Sequence, residues 1–244
     1  MGPAFLYGDA CDMKAAAIIP AAGSGERMGS SIKKPYIILQ GMPLLAHTLR
    51  VFAEAPDIAE LIVTVGPGQE DICRQQVVKA CAIAKPVTVV AGGDRRQDSV
   101  RNGLAAVSEP VDLVMIHDGA RPFVTVQMIS NALEITMHKR ATTMAVPVKE
   151  TAALVAKDTG VIQQTLERDR LYLIQTPQTF ERELICEAHR RAWAEGFAGT
   201  DDASLVERLG VPVSVIMGSY DNIKITTQED LLFAEAILKG RLHT

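Results

Sequence analysis

The sequence predicts an α/β fold in which a single doubly wound, mostly parallel sheet carries a protruding β-hairpin arm. Three observations predict it. Short apolar runs alternate strictly with segments of helical periodicity from Ala15 to Val148, the pattern of a sheet wound by crossover helices. Polar, glycine-rich stretches follow three of those runs, at the strand ends where such sheets bind ligands. From Thr151 the alternation gives way to two β-rich runs around Lys157-Asp158-Thr159-Gly160, a hairpin signal with the glycine late in the turn.

Ala15 to Pro20 is a short apolar run without helical period, read as a fully buried parallel strand. Ala21-Ala22-Gly23-Ser24-Gly25 follows it. Small residues there let the backbone turn sharply and bring its N–H groups close to an anion. Arg27, Lys33 and Lys34 come next, with Glu26 as the one nearby acid. A Gly-x-Gly turn after a strand is equally well a plain tight turn. Gly29 does not complete the dinucleotide spacing, and no Walker lysine follows. What survives is a backbone cradle backed by cations, the arrangement needed where a polyphosphate is rearranged.

Leu44, Leu45, Thr48, Leu49 and Phe52 recur at helical spacing after Pro43 and predict the first crossover helix. Glu60 to Val65 is the second strand and Asp71 to Ala84 the second helix. Val87 to Ala91 is a third strand running into Gly92-Gly93-Asp94-Arg95-Arg96, then a helix through Val100, Leu104 and Val107. Asp112 to Asp118 is a fourth strand, ending in Gly119-Ala120-Arg121-Pro122. A helix over about 125–138 and a strand over 141–148 complete the alternating part. An isolated hairpin is marginal in water, so the one after Thr151 must pack on its own sheet or on a second subunit. Beyond it the sequence predicts a strand over 171–180, a helix over 182–195, another opened by Thr200 as its cap, a strand over 213–217, an extended Asp221–Thr226 segment and a closing helix over 227–238. Residues 1–13 read as a loose lead-in, and 14–244 as one domain with an arm at about 149–170.

The chain has 244 residues, 48% of them apolar, and carries a net charge of −4. It can bury a large core, and it lacks the basic excess of a nucleic-acid binder. No apolar run approaches the roughly 18 residues of a membrane span. The N-terminus carries Asp9 and Asp12 and no basic start, unlike a signal peptide. Cys11, Cys73, Cys81 and Cys186 are scattered without metal or disulfide spacing, as in a reduced cytoplasmic protein.

Six stretches, in order, carry a resemblance: PAAGSGERMG with the lysines after it, GGDRRQDSV, HDGARP, TPQTF, TDDAS and DNIKIT. In sequence and spacing the chain resembles the 2-C-methyl-D-erythritol 4-phosphate cytidylyltransferases over roughly Ala15 to Leu238. The resemblance implies a Rossmann-like nucleotidyltransferase fold and transfer of CMP from CTP to the sugar-alcohol phosphate, with a magnesium ion held mostly by substrate phosphates. It implies catalytic roles for Arg27, Lys34 and Lys224 around the reacting phosphorus. The family usually shows Pro-Lys-Gln before the tyrosine where this chain has Lys33-Lys34-Pro35-Tyr36. Counting from either side selects Lys34, with Lys33 as competitor.

Nucleotide contacts are implied at Pro20, Ala21, Ala22, Gly23, Ser24, Gly25, Gly93, Asp94, Ser99 and Asp118, with Asp118 also near the metal. Arg168, Thr176, Thr200 and Arg121 are implied to hold the acceptor. The resemblance also implies a homodimer built through the arm, so that Arg168 would reach the neighbouring site. Two alternatives stay open on the residues alone: a cytidylyltransferase for ribitol 5-phosphate, and a nucleotide-binding module without turnover.

Overall fold

The computed structural model describes residues 14–23, 33–108 and 110–241. In chain order the elements are β1 (Ala15–Pro20), a 3₁₀ turn (Lys34–Tyr36), β2 (Ile38–Leu39), β3 (Met42–Pro43), α1 (Leu44–Glu54), β4 (Ile58–Val65), α2 (Glu70–Cys73) widening into a π-helical turn (Arg74–Lys79), β5 (Val87–Ala91), α3 (Arg96–Ala105), β6 (Leu113–Ile116), α4 (Val126–Lys139) and β7 (Ala141–Pro147). There follow β8 (Ala153–Val155), β9 (Ile162–Thr165), a 3₁₀ turn (Arg168–Arg170), β10 (Tyr172–Glu181), α5 (Arg182–Ala194), α6 (Asp202–Arg208), β11 (Ser214–Met217) and α7 (Gln228–Arg241).

Seven strands form one sheet in the order β11-β7-β10-β6-β1-β4-β5. All neighbours are parallel except β10, which runs antiparallel between β6 and β7. The chain winds from β1 outward through β4 to β5, then returns to β6 on the other side of β1. This reversal opens a crevice at the carboxyl ends of β1 and β6. Residues alternate across β1, so Ala15, Ala17 and Ile19 face one layer, with Leu45, Leu49 and Phe52 of α1 and Ile129 and Leu133 of α4. Ala16 and Ile18 face the other, with Val100 of α3, Ile185 of α5 and Val206 of α6. Both faces are covered, which is why these strands read as unbroken apolar runs.

Several boundaries differ from the sequence reading for local reasons. The second helix stops at Lys79 instead of Ala84, and Ala82 takes a left-handed φ of 48° just beyond it. Pro43 belongs to a two-residue ladder with Ile38–Leu39 and precedes α1. Asp201 caps α6 where Thr200 was expected. Its side chain accepts from the Ser204 N–H at 2.9 Å, and Ser204 answers to the Asp201 backbone. Asp221–Thr226 pairs with no strand and is tied down by single hydrogen bonds instead.

The hairpin β8–β9 stands apart from the main sheet, its turn closed by Gly160 at φ +69°. Leu154, Val155, Val161 and Ile162 are exposed along it. Among the described residues no helix is long and apolar enough to cross a membrane.

Candidate active site

The loop after β1 is built by main chain. The Ala21 N–H donates to Thr64 O at 2.7 Å, and Pro20 O accepts from the Gly119 N–H at 3.1 Å. These bonds tie the ends of β4, β1 and β6 together. The loop after β5 is pinned in the same way: Gly92 N–H reaches Val65 O at 2.6 Å, and Gly93 N–H donates to Ser99 Oγ at 3.1 Å. Glycine is required at both positions. A Cβ on Gly92 would lie 2.6 Å from Ala22 Cβ, and one on Gly93 2.5 Å from Asp98 Cβ. At Gly92 the two loops therefore approach one another more closely than a side chain allows, and at Gly93 the second loop folds tightly onto the start of α3.

Between them lies a cleft of about 500 Å³, lined by Pro20, Ala21, Ala22, Gly23, Lys34, Gly93, Asp94, Ser99, Asp118 and Lys224 with Pro35, Leu44, Arg95, Arg96, Gly119 and Ala120. That volume suits a single small ligand. Backbone and small side chains from the loops after β1 and β5 make up much of the lining, and Lys34, Arg95, Arg96 and Lys224 bring cations to it. Lys34 lines the cleft from its 3₁₀ turn and Lys33 does not, which decides between the two lysines as far as position goes.

Asp118, at the end of β6, is the electrostatic centre. Its Oδ1 accepts from Arg96 Nε at 3.0 Å, its Oδ2 from Lys224 Nζ at 2.8 Å, and Arg121 Nε lies 3.5 Å from Oδ2. Burial alone would push this carboxyl's pKa up, but the charges of Arg96, Lys224 and Arg121 outweigh it and hold the group well below the usual carboxylate range. The cleft lining carries Lys34, Arg95, Arg96 and Lys224 against Asp94 and Asp118, an excess of positive charge of the kind an oligophosphate requires.

The floor beneath Asp118 is a neutral hydrogen-bond chain. Its backbone N–H donates to Thr176 Oγ1 at 3.0 Å, and Thr176 Oγ1 lies 3.2 Å from His117 Nδ1. His117 Nε2 meets Arg121 O at 3.0 Å. A carbonyl can only accept, so Nε2 carries the proton and Nδ1 accepts from the threonine hydroxyl. Full burial pulls the His117 pKa down to about 4 and keeps the ring neutral.

The remaining expected site residues fall in three places. Arg27, Ser24 and Gly25 lie outside the described residues. Arg121 and Thr176 stand directly behind Asp118 without lining the cleft. Thr200 is exposed just before α6, and Arg168, at the foot of the hairpin, donates to Lys149 O at 3.1 Å away from the cleft of its own chain.

Sequence reasoning left Arg96, Asp202 and Asn222 without roles. Each had a signal: a second arginine directly after Gly-Gly-Asp, a second aspartate beside a capping one, and an asparagine two residues before Lys224. Asn222 is fully buried. Its Nδ2 donates to Thr176 O at 2.8 Å and to Gln175 Oε1 at 3.3 Å, while its backbone carbonyl accepts from Arg121 NH1 at 2.7 Å. The segment carrying Lys224 is thereby locked to β10, and the Ile225 N–H closes it onto Ala120 O.

No group of three or more His, Cys, Asp or Glu placed to hold a metal ion occurs among the described residues. A single carboxylate beside a triphosphate still fits magnesium, which keeps waters and takes substrate phosphates as ligands.

Comparison with known proteins matches the sequence profile of the 2-C-methyl-D-erythritol 4-phosphate cytidylyltransferases to residues 15–240. The chain belongs to that family. The enzyme of this name from Geotalea uraniireducens is 48% identical over 230 residues, covering 93% of this chain and 98% of its own. That from Desulforamulus reducens is 47% identical, covering 92% and 96%. Among solved structures, the 4-diphosphocytidyl-2C-methyl-D-erythritol synthase of Anaerococcus prevotii superimposes with a TM-score of 0.83 at 33% identity over 93% of this chain and 97% of its own. The cytidylyltransferase of Thermus thermophilus does so with a TM-score of 0.74 at 33% identity, over 93% and 100%. For a cytidylyltransferase the cleft is in the expected place, at the strand reversal of a mostly parallel sheet.

Proposed function

We propose that this protein transfers CMP from CTP to 2-C-methyl-D-erythritol 4-phosphate, giving 4-CDP-2-C-methyl-D-erythritol and pyrophosphate in isoprenoid precursor synthesis. Family membership supports the reaction. The observation that carries it is the cleft itself, a backbone-walled slot facing Lys34, Lys224 and the ion-paired Asp118.

A phosphate oxygen of the acceptor attacks the α-phosphorus of CTP. The new P–O bond forms as the bond to the pyrophosphate oxygen breaks. Negative charge spreads over the equatorial oxygens and the leaving group, so the protein's work is positioning and neutralisation. Lys34 and Lys224 supply fixed charge from the cleft wall, and Arg27 is assigned the same task on the resemblance of its loop. Asp118 holds the Lys224 ammonium in place at 2.8 Å, and with its remaining lone pairs it is the side chain that would touch magnesium. Bound there, the ion would neutralise the phosphates. The loops after β1 and β5 are assigned to the cytosine and ribose, through Pro20 to Gly23 and through Gly93, Asp94 and Ser99, which line the cleft; Ser24 and Gly25 are assigned the same task on the resemblance of their loop.

Arg168, Thr176, Thr200 and Arg121 are assigned to the acceptor. Arg168 is assigned this role through a second subunit, since it donates to Lys149 O and does not line its own cleft. The apolar side chains exposed along the hairpin support a homodimer formed through it. Highly charged substrates and free cysteines among the described residues suit a cytoplasmic enzyme.

Pyrophosphate release with CTP and magnesium tests the reading, comparing 2-C-methyl-D-erythritol 4-phosphate with ribitol 5-phosphate. The first is expected to turn over far faster; preference for the second would overturn the acceptor assignment. CTP binding without product from either would mark a non-catalytic module. Lys34→Ala is expected to lower kcat by about 10² or more with a smaller change in the KM for CTP, as for a group acting in the transition state. Nearly intact turnover would make Lys34 a structural loop residue.

A further inference from the structure

Behind the cleft the cation–carboxylate contacts do not stop at Asp118. Arg96 reaches it with Nε and, with NH1, donates to Asp202 Oδ2 at 2.6 Å. Asp202 Oδ1 in turn accepts from His189 Nε2 at 3.0 Å. Asp202 and His189 are almost completely buried, at 1% and 2% exposure. The Asp202 backbone N–H is held by Gln178 Oε1 at 3.1 Å, so the first turn of α6 is fixed to β10. An ordered chain thus runs from α5 through α6 and α3 to the end of β6: His189, Asp202, Arg96, Asp118, Lys224.

The geometry points to Arg96 and Asp202 as positioning residues for the transfer reaction, which set the orientation of Asp118 and through it the place of Lys224. The inference rests on the assignment of Lys224 and Asp118 to the reaction. Three observations carry it beyond ordinary ion pairing. Arg96 is shared between two carboxylates that approach it at 3.0 and 2.6 Å, so neither can shift without the other. Its third nitrogen, NH2, is enclosed and has no hydrogen-bond partner. Nε and NH1 of the arginine are thus committed to the two carboxylates. Removing one member of such a buried pair leaves an uncompensated charge, so the arrangement is held firmly. His189 closes the far end: with Nε2–H on Asp202, the Asp202 carboxylate cannot rotate away from Arg96.

A double-mutant cycle tests this, with kcat and KM for both substrates measured by pyrophosphate release on the full chain and thermal unfolding recorded for each variant. Lys224→Ala alone is expected to lower kcat by about 10². Asp202→Asn is expected to lower kcat by about tenfold in the native background and by less than about twofold in the Lys224→Ala background, the non-additivity of residues acting as one unit. The same factor in both backgrounds, or no loss in either, would sink the relay while leaving the site reading intact. An unchanged Lys224→Ala would instead remove Lys224 from the reaction and the relay's target with it.

Should Asp202→Asn not fold, His189 reads the same chain. His189→Leu is expected to cost several-fold in kcat, and His189→Gln, which keeps an N–H donor, to recover most of it. Equal losses in both would show a packing role only.

Discussion

Asp118 shows how one side chain does opposite things at once. Three cations keep it ionised inside a nearly dry wall, and in return it keeps two of them, Arg96 and Lys224, at fixed distance. The sequence made the cluster partly legible. An aspartate ending an apolar strand and a lysine between two isoleucines could be singled out, but their contact spans more than a hundred positions of chain and has no local signature. Asn222 stood out only by its place two residues before Lys224, and a buried asparagine reads like any turn residue until its partners are known. Asn222→Ala leaves Thr176 O and Gln175 Oε1 without that donor and frees the Lys224 segment. The expected cost is about 2 kcal/mol of stability, seen as a lower urea midpoint, together with a several-fold fall in kcat. A change in midpoint with kcat intact would mean that Asn222 merely packs.

At the level of elements, the alternating part of the chain could be read closely because burial on both faces produces continuous apolar strands. Val87–Ala91 matches the expected strand end for end. Boundaries failed where a backbone conformation, not a pattern, decides, as at Ala82. The close packing of α3 on β1 was not visible either. It depends on Gly103, whose added Cβ would fall 2.6 Å from Ile18 Cγ2 and 3.3 Å from Thr64 Cγ2. Replacing a mid-helix glycine by alanine ordinarily gains about 1 kcal/mol. Here two β-branched side chains in the sheet core, buried among neighbours, cannot yield, and overpacking of this kind costs about 1–3 kcal/mol. Gly103→Ala is therefore expected to lower the melting temperature by a few degrees. A rise would show that α3 can ride outwards.

For the whole molecule, the hairpin was predicted from its turn chemistry and its protrusion from the resemblance, and β8–β9 indeed forms a sheet of its own apart from the seven strands. Arg168→Ala is expected to raise the KM for the acceptor at least about tenfold with little change in that for CTP, if the arm completes a neighbour's site. Unchanged acceptor KM would take Arg168 out of it. Stability has an alkaline limit from a second region. Burial pushes the Cys73 thiol up to about 11, and burial with the negative charge of Cys73 and Glu70 pushes Tyr36 up to about 12. Both hold their protons more tightly folded than unfolded. Their contribution is thus complete below pH 9 and is lost as pH rises through 9 to 12. The urea midpoint should fall across that range, and less steeply in Cys73→Ala; parallel curves would rule the thiol out.

One consequence follows from the single reversed strand. β10 spans ten residues, from Tyr172 near the foot of the hairpin to Glu181, with a register irregularity against β7 between Ile174 and Gln178, and along it lie Thr176 under Asp118 and Gln178 under α6. Should a neighbour grip the arm, that grip and a nucleotide resting on Asp118 would pull on the same strand. Slack introduced at the outer end would then reach the nucleotide's support before any of its own contacts had been altered.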